Sequence, residues 1–186
     1  RLIVQYTKVG PNDVVMYADL DYHAMQYAMN ALAQQRGATV VRFDLPESAT
    51  KATVLDAYAK ALAANPRVKL LLLTHLNNKT GLIIPVKEIV AMARARGADV
   101  VVDAAHSFGQ CHLTLADLGA DFVGCNLHKW LGAPVGAGVM YIREGRLGDV
   151  ARMLGDEGTP DRIDSRIHTG TANFATYLTV PAALDF

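Results

Sequence analysis

Short apolar runs separated by segments of helical period constrain this chain more than any other feature. VVMYAD (14 to 19), TVVRFD (39 to 44), KLLLLTH (69 to 75), ADVVVDAAH (98 to 106, a strand and its exit) and FVGCN (122 to 126) each have the length of a strand. KLLLLTH is apolar on both faces, as strands covered by helices on each side are. Between the runs, Tyr22 to Gly37 places Met25, Ala28, Met29, Leu32 and Ala33 on one helical face, with Asp21 as its N-cap and Gly37 as its stop. Thr50 to Asn65 buries Val54, Leu55, Tyr58 and Leu62 and ends at Asn65-Pro66, and Val86 to Gly97 turns Ile89, Val90, Met92 and Ala93 inward. LADLGA adds a short helical turn, and VMYIR (139 to 143) reads as an antiparallel return. Such alternation specifies an α/β fold, a mainly parallel sheet flanked by helices. The polar, glycine-rich REGRLGDVARMLGDEGTPDR (143 to 162) reads as a surface excursion.

A chain of 186 residues is the size of one domain, and 51% hydrophobic against 19% charged residues is a composition that packs. Eighteen basic and eighteen acidic residues leave no net field to favour nucleic acid or an anionic membrane, so small molecules are the expected partners. No apolar run is long enough to span a bilayer. Cys111 and Cys125 form neither a disulfide framework nor a metal pair and read as reduced thiols of a cytoplasmic protein. The chain begins at Arg1 and ends on ALDF, which reads as an internal fragment.

In open α/β sheets ligands lie beyond the carboxyl ends of the strands. Those ends are Asp19 to Tyr22, His75 to Asn78, Asp103 to His106 and Asn126 to Lys129, so four polar clusters are expected on one rim. The last contains the least expected residue. Lys129 lies between His128 and the single tryptophan, Trp130, and leads into the glycine-rich GAPVGAG, whose spacing is not that of a dinucleotide fingerprint. A lysine amine freed from water is a good nucleophile toward an aldehyde, and the usual aldehyde in proteins is pyridoxal 5′-phosphate. Holding it requires a carboxylate for the ring nitrogen, a flat group over the ring, and donors to the phenolic oxygen and the phosphate. Asp103, ending a three-valine strand, suits the first, or is a turn cap. Tyr22 suits the second, or is core, while Asn78 and His106 suit the phenolic oxygen, or are turn and core residues. Asn126, His128 and Thr171 in HTGTAN can donate to phosphate, with Gly170 allowing close backbone approach.

VVVDAAHSFGQ followed by LADLGADFVGCNLHKWLGAPVGAGVMYIR resembles the cofactor-binding core of the class V aminotransferase family of fold-type I pyridoxal phosphate enzymes, which includes cysteine desulfurases and isopenicillin N epimerase. THLNNKTGLIIPVKEI and RIHTGTANFATYLTVPAALDF resemble further family segments in the right order. The resemblance implies that Lys129 forms the Schiff base and Asp103 meets the pyridine nitrogen, while His106 and Asn78 neighbour the phenolic oxygen. It further implies that Asn126 and His128 hold the phosphate, and that Tyr22, or His23 one residue on, stacks on the ring. Thr171 would reach the phosphate of a neighbouring subunit in a homodimer. The chain would be an incomplete large domain (1–186), its first phosphate loop lying before Arg1 and its small domain, with the arginine for the substrate carboxylate, after Phe186. Many members have serine or threonine where Asn126 stands. Tyr22 and the NLHKW run look more like epimerase-type members, and neither cysteine occupies the place of a desulfurase thiol. An amino-acid substrate is implied, with epimerase-like or carbon–sulfur lyase chemistry ahead of transamination. Two other readings stay open: a metal-dependent hydrolase using Asp103, His106, His112 and His128, although no paired histidines fall on a helix, and a non-catalytic relative.

Overall fold

The apolar runs and the VMYIR segment pair side by side in one six-stranded sheet. A computed structural model describes residues 2–153, 161–167, 170–171 and 173–185. In chain order the elements are α1 (Leu2–Gln5), β1 (Val14–Ala18), α2 (His23–Arg36), β2 (Thr39–Phe43), α3 (Lys51–Ala64), β3 (Val68–Thr74), α4 (Val86–Arg94) and β4 (Asp99–Asp103). A 3₁₀ turn (Ala116–Leu118), β5 (Phe122–Asn126), β6 (Gly138–Ile142), α5 (Ala175–Leu178) and α6 (Val180–Asp185) complete them, with two further 3₁₀ turns at Leu147–Asp149 and Ile163–Arg166. The strand order is β2-β1-β3-β4-β5-β6, parallel throughout except that β6 returns antiparallel to β5, the expected arrangement.

Alternation along β3 builds the layers on its two faces. Leu71 and Leu73 join Val100 and Val102 under α3 and α4, whereas Leu70 and Leu72 join Val101 and Phe122 under α1 and α2. The order also dictates which helix covers which face. From β1 the chain moves one way to β2 and then back past β1 to β3, and right-handed crossovers in opposite directions must use opposite faces. The reversal leaves a crevice between β1 and β3 at their carboxyl ends, where a ligand site is expected.

Local signals set the helix ends. Thr50 and Thr53 form a reciprocal capping box at the start of α3, and Asn65 Nδ2 donates to Ala61 O at its end. Gly37 closes α2 in the left-handed region at φ 68°.

Two expectations fail for identifiable reasons. Asp21 does not cap α2, whose N-cap is Tyr22 without a side-chain bond. Its buried carboxylate instead accepts the backbone N–H groups of Ala18 (2.8 Å) and Thr74 (2.6 Å), on the two strands that diverge at the crevice. Nor is the stretch after Arg143 simply a surface excursion. Arg146 inserts beside the Phe122 ring and pairs with Asp99, Asp121 and Asp149, and Val150 is buried and bridges to Tyr6. Half-buried Asp99 and buried Asp121 stand at the amino ends of β4 and β5, where such carboxylates need a cation, and only the fold shows that Arg146 serves both, with Arg143 also on Asp121. Residues 154–160 of that stretch lie outside the described residues. Among the described residues no helix is long and apolar enough to cross a membrane.

Replacing Arg146 by methionine keeps much of its packing but takes the cation from Asp99, leaving it the Tyr6 hydroxyl, and urea unfolding of the full-length protein should show a loss of about 3 kcal/mol. An unchanged midpoint would mean that the cluster is not a brace.

Candidate active site

Strand exits bring the site together. β4 delivers Asp103, β5 delivers Asn126 and the turn carrying Lys129, and the exit of β1 delivers Tyr22. All four line one cavity of about 830 Å3, together with Asp164, Ile167, Phe174 and Tyr177. The loop from Leu127 to Ala137 folds on itself through Leu127 N–H to Ala137 O (3.1 Å) and Ala133 N–H to Leu127 O (3.1 Å), closing a small apolar cluster. Gly138 lets β6 press against β5 beside Asn126, where a Cβ would stand 3.0 Å from Cys125 O, tighter than such contacts usually are.

Lys129 Nζ lies 3.0 Å from His106 Nε2 and 5.8 Å from the centre of the Tyr22 ring. On its other side the His106 ring accepts the Trp130 indole N–H at Nδ1 (3.2 Å). Asp103 is only 8% exposed, and its Oδ1 accepts the Ala105 N–H at 2.9 Å. Burial pushes the Asp103 carboxyl above the ordinary carboxylate range, against the Ala105 N–H and the charges of Lys129 and His106. Burial lowers His106, as does the neighbouring Lys129, while Asp103 opposes both.

The other expected residues sit further out. His106 touches Lys129 without lining the cavity, and half-buried His128 turns Nδ1 toward Ala137 O (3.4 Å). Asn78 is exposed, at the tip of a turn that buried Asn77 holds by donating to Leu20 O and accepting Lys79 N–H and Thr80 N–H. Thr171 is exposed and does not line the cavity, although Gly170 does, at φ 70°. Of the aromatic pair, Tyr22 lines the cavity and exposed His23 packs beside it at 4.5 Å. The hydrolase set does not converge. His112 lines a separate recess with His75 at the start of α4, and among the described residues no three of His, Cys, Asp or Glu form a metal-ligand group.

The donor set fits pyridoxal 5′-phosphate: a primary amine, a buried carboxylate, an aromatic face and a side-chain amide share one cavity with room for a ring and a small substrate. Sequence reading missed Met25, Met140, Ile167, Phe174 and Tyr177 as lining residues. They come from a helix face, the antiparallel strand and the C-terminal segment, where nothing local sets them apart from core or surface.

The family model described as Aminotransferase class-V matches residues 2–186. An isopenicillin N epimerase of Streptomyces clavuligerus is 32% identical over 100% of this chain and 51% of its own length. A putative L-cysteine desulfhydrase of Oryza sativa subsp. japonica is 31% identical over 94% of this chain and 38% of its own. The chain thus spans about half or less of the curated relatives it matches. Among solved structures, a cystine C-S lyase in complex with its product cysteine persulfide superposes with a TM-score of 0.82 at 25% identity, covering 99% of this chain and 52% of that one. A cysteine desulfurase from Escherichia coli shares the fold at a TM-score of 0.81 and 24% identity, over 99% and 48%.

The Asp21 carboxyl under this site is pushed up to about 7, first by burial, against the hydrogen bonds it accepts and with the help of the Asp103 charge. A carboxyl raised on folding contributes stability below its unfolded value near 4 and loses it as pH rises through 7. Unfolding free energy should therefore fall between pH 4 and pH 7, with a slope from this group of at most about 1.4 kcal/mol per pH unit. Asp21→Asn should flatten that slope, and an identical pH dependence in the variant would exclude Asp21 as its source.

Proposed function

This chain belongs to the aminotransferase class-V family, and on that premise we propose that it is the large, cofactor-binding domain of a pyridoxal 5′-phosphate enzyme acting on an amino acid. The observation that carries the proposal is the single cavity lined by Lys129, Asp103, Tyr22 and Asn126. In this reading the Lys129 amine holds the cofactor's aldehyde, Asp103 pairs with its ring nitrogen and Tyr22 covers the ring face. His106 and Asn78 donate to the phenolic oxygen, and Asn126 and His128 to the phosphate. Thr171 serves the phosphate of the partner subunit in a homodimer, which accords with its exposure on the outer surface.

The bound ring supplies an electron sink that acidifies the substrate's α-carbon. The protein supplies the rest. Asp103, buried and above its ordinary range, keeps a proton shared with the ring nitrogen at low cost, because the pair exchanges one buried charge for a hydrogen-bonded couple. Lys129, once released, is the base that takes the α-proton and can return it, and His106 holds its nitrogen in place at 3.0 Å. Tyr22, Met25, Met140 and Phe174 give the cavity its apolar lining around the ring.

Return of the α-proton gives epimerisation, and loss of a β-sulfur gives carbon–sulfur cleavage. Both rank ahead of transamination, because the relatives named above are an epimerase and a cysteine desulfhydrase. A reducing compartment such as the cytoplasm suits the free thiols Cys111 and Cys125.

The full-length protein should bind the cofactor with a visible absorption band that borohydride abolishes, leaving a pyridoxyl group on the peptide containing Lys129. Lys129→Ala should lose the band, and Asp103→Asn should lower kcat/KM by about a hundredfold, the scale of losing one preorganised electrostatic partner. Sulfide release from L-cysteine, compared with loss of optical activity across a panel of amino acids, separates the two chemistries. Borohydride labelling elsewhere than Lys129 would overturn the assignment.

A further inference from the structure

Trp130 is the only tryptophan in the chain, and 52% of its surface is exposed although it follows the site lysine directly. Burial of the other half packs the ring but does not by itself set where its N–H points. That polar handle is engaged as well. The indole Nε1–H donates to His106 Nδ1 at 3.2 Å, and the opposite ring nitrogen, Nε2, stands 3.0 Å from Lys129 Nζ. The chain is held so that this contact forms. Gly109, at φ 84°, would bring a Cβ to 3.2 Å from the Trp130 carbonyl carbon and Cβ, so a side chain at 109 would crowd the turn after His106 against the turn after Lys129.

The donor inventory then fixes the protons. An indole N–H can only donate, so Nδ1 must be the bare, accepting nitrogen, and a neutral imidazole with Nδ1 bare carries its proton on Nε2. Nε2–H points at the lysine. An ammonium has three donors and no acceptor, whereas an uncharged amine has one lone pair, so the contact is satisfied only when Lys129 accepts. An imidazolium is excluded on the same ground, because its Nδ1–H would face the indole N–H. Other groups bear on the same amine. Asp103 and Asp164 line the cavity and favour an ammonium by charge, and the Tyr22 ring face at 5.8 Å does so more weakly. The 3.0 Å bond is the closest of these contacts and the only one whose proton position the indole determines.

We propose that Trp130 is a positioning residue for Lys129: acting through His106, it fixes the Nε2–H tautomer, so that the ring turns a donor, not an acceptor, toward the lysine nitrogen and that contact is satisfied when the nitrogen's lone pair is free to attack a carbonyl carbon. The proposal rests on the cofactor reading for the identity of that carbonyl, but the tautomer itself does not. The same tautomer also offers a donor at Nε2, the role the family resemblance gives His106 at the phenolic oxygen. One residue thereby orients the contact to the nucleophile before the cofactor binds and keeps a donor at His106 Nε2 afterwards.

The test uses the full-length protein stripped of cofactor. Two-bond proton–nitrogen NMR of the histidine rings should show His106 protonated at Nε2 and bare at Nδ1. In Trp130→Phe, which keeps an aromatic edge at a half-exposed position and removes only the donor, the two tautomers should mix. The rate at which apoprotein captures pyridoxal 5′-phosphate at pH 7 should fall about fivefold, the scale of one hydrogen bond. Reductive methylation of Lys129 by formaldehyde, which needs no cofactor, should slow by the same factor. With His106→Gln in the background, Trp130→Phe should have no further effect on either rate. An Nδ1–H tautomer in the wild type, or unchanged tautomer and rates in Trp130→Phe, overturns the proposal. Because the NMR and methylation readouts need no cofactor, absence of a pyridoxyl group on Lys129 would count against the cofactor reading alone.

Discussion

The Asp21 carboxylate ties together the two strands on which the rest of the site depends. β1 pairs with β3 from Val14–Val68 to Met16–Leu71, and beyond that point the strands part to make the crevice. Parting leaves backbone donors that no ladder satisfies. Asp21 accepts two of them, Ala18 N–H and Thr74 N–H, while Thr74 Oγ1 accepts Tyr22 N–H at 3.1 Å. A buried carboxylate is costly by itself, but an unpaired buried amide costs on the same scale, and one acid relieves two. Through Thr74, whose register partner is Asp103, the clamp reaches the acid on β4 and the aromatic at the start of α2. A residue outside the cavity lining thus sets the spacing of two that line it.

Charge at the site follows from that scaffold. Asp103 is shielded by the sheet and offered one backbone donor, so its environment suits a shared proton better than a bare negative charge. Lys129 is bounded by a π face and an imidazole, with no carboxylate within ion-pair distance among the described contacts. Acid and amine thus line one cavity without forming an ion pair with each other. An ion pair between them would have closed the space.

Much of the fold was legible because burial on both faces leaves a local trace. KLLLLTH and DVVVD are apolar without alternation, and only a strand covered by helices on each side tolerates that. The ends of α2 and α3 were legible because glycine at positive φ and the Asn-Pro pair act within one turn. The site was legible in outline for the same kind of reason: carboxyl ends of parallel strands share a rim, so polar residues at those ends come together whatever their separation in sequence. Asp21 was misread as a cap because its true partners, Ala18 and Thr74, depend on where two strands diverge. The segment after Arg143 was misread because its charge pattern is that of a loop, and burial of Arg146 follows only from acids on β4 and β5.

By itself, the order of residues determined the parallel sheet, the rim and the lysine with its acid, since each follows from interactions between near neighbours or from the shared direction of parallel strands. Tertiary structure alone decided that Tyr22, not His23, faces the cavity, that Asn77 is buried while Asn78 is exposed, and that the Trp130 indole meets His106. These are choices between adjacent residues, or contacts made across two loops. One residue of rotation reverses the outcome, and only packing in three dimensions sets that rotation.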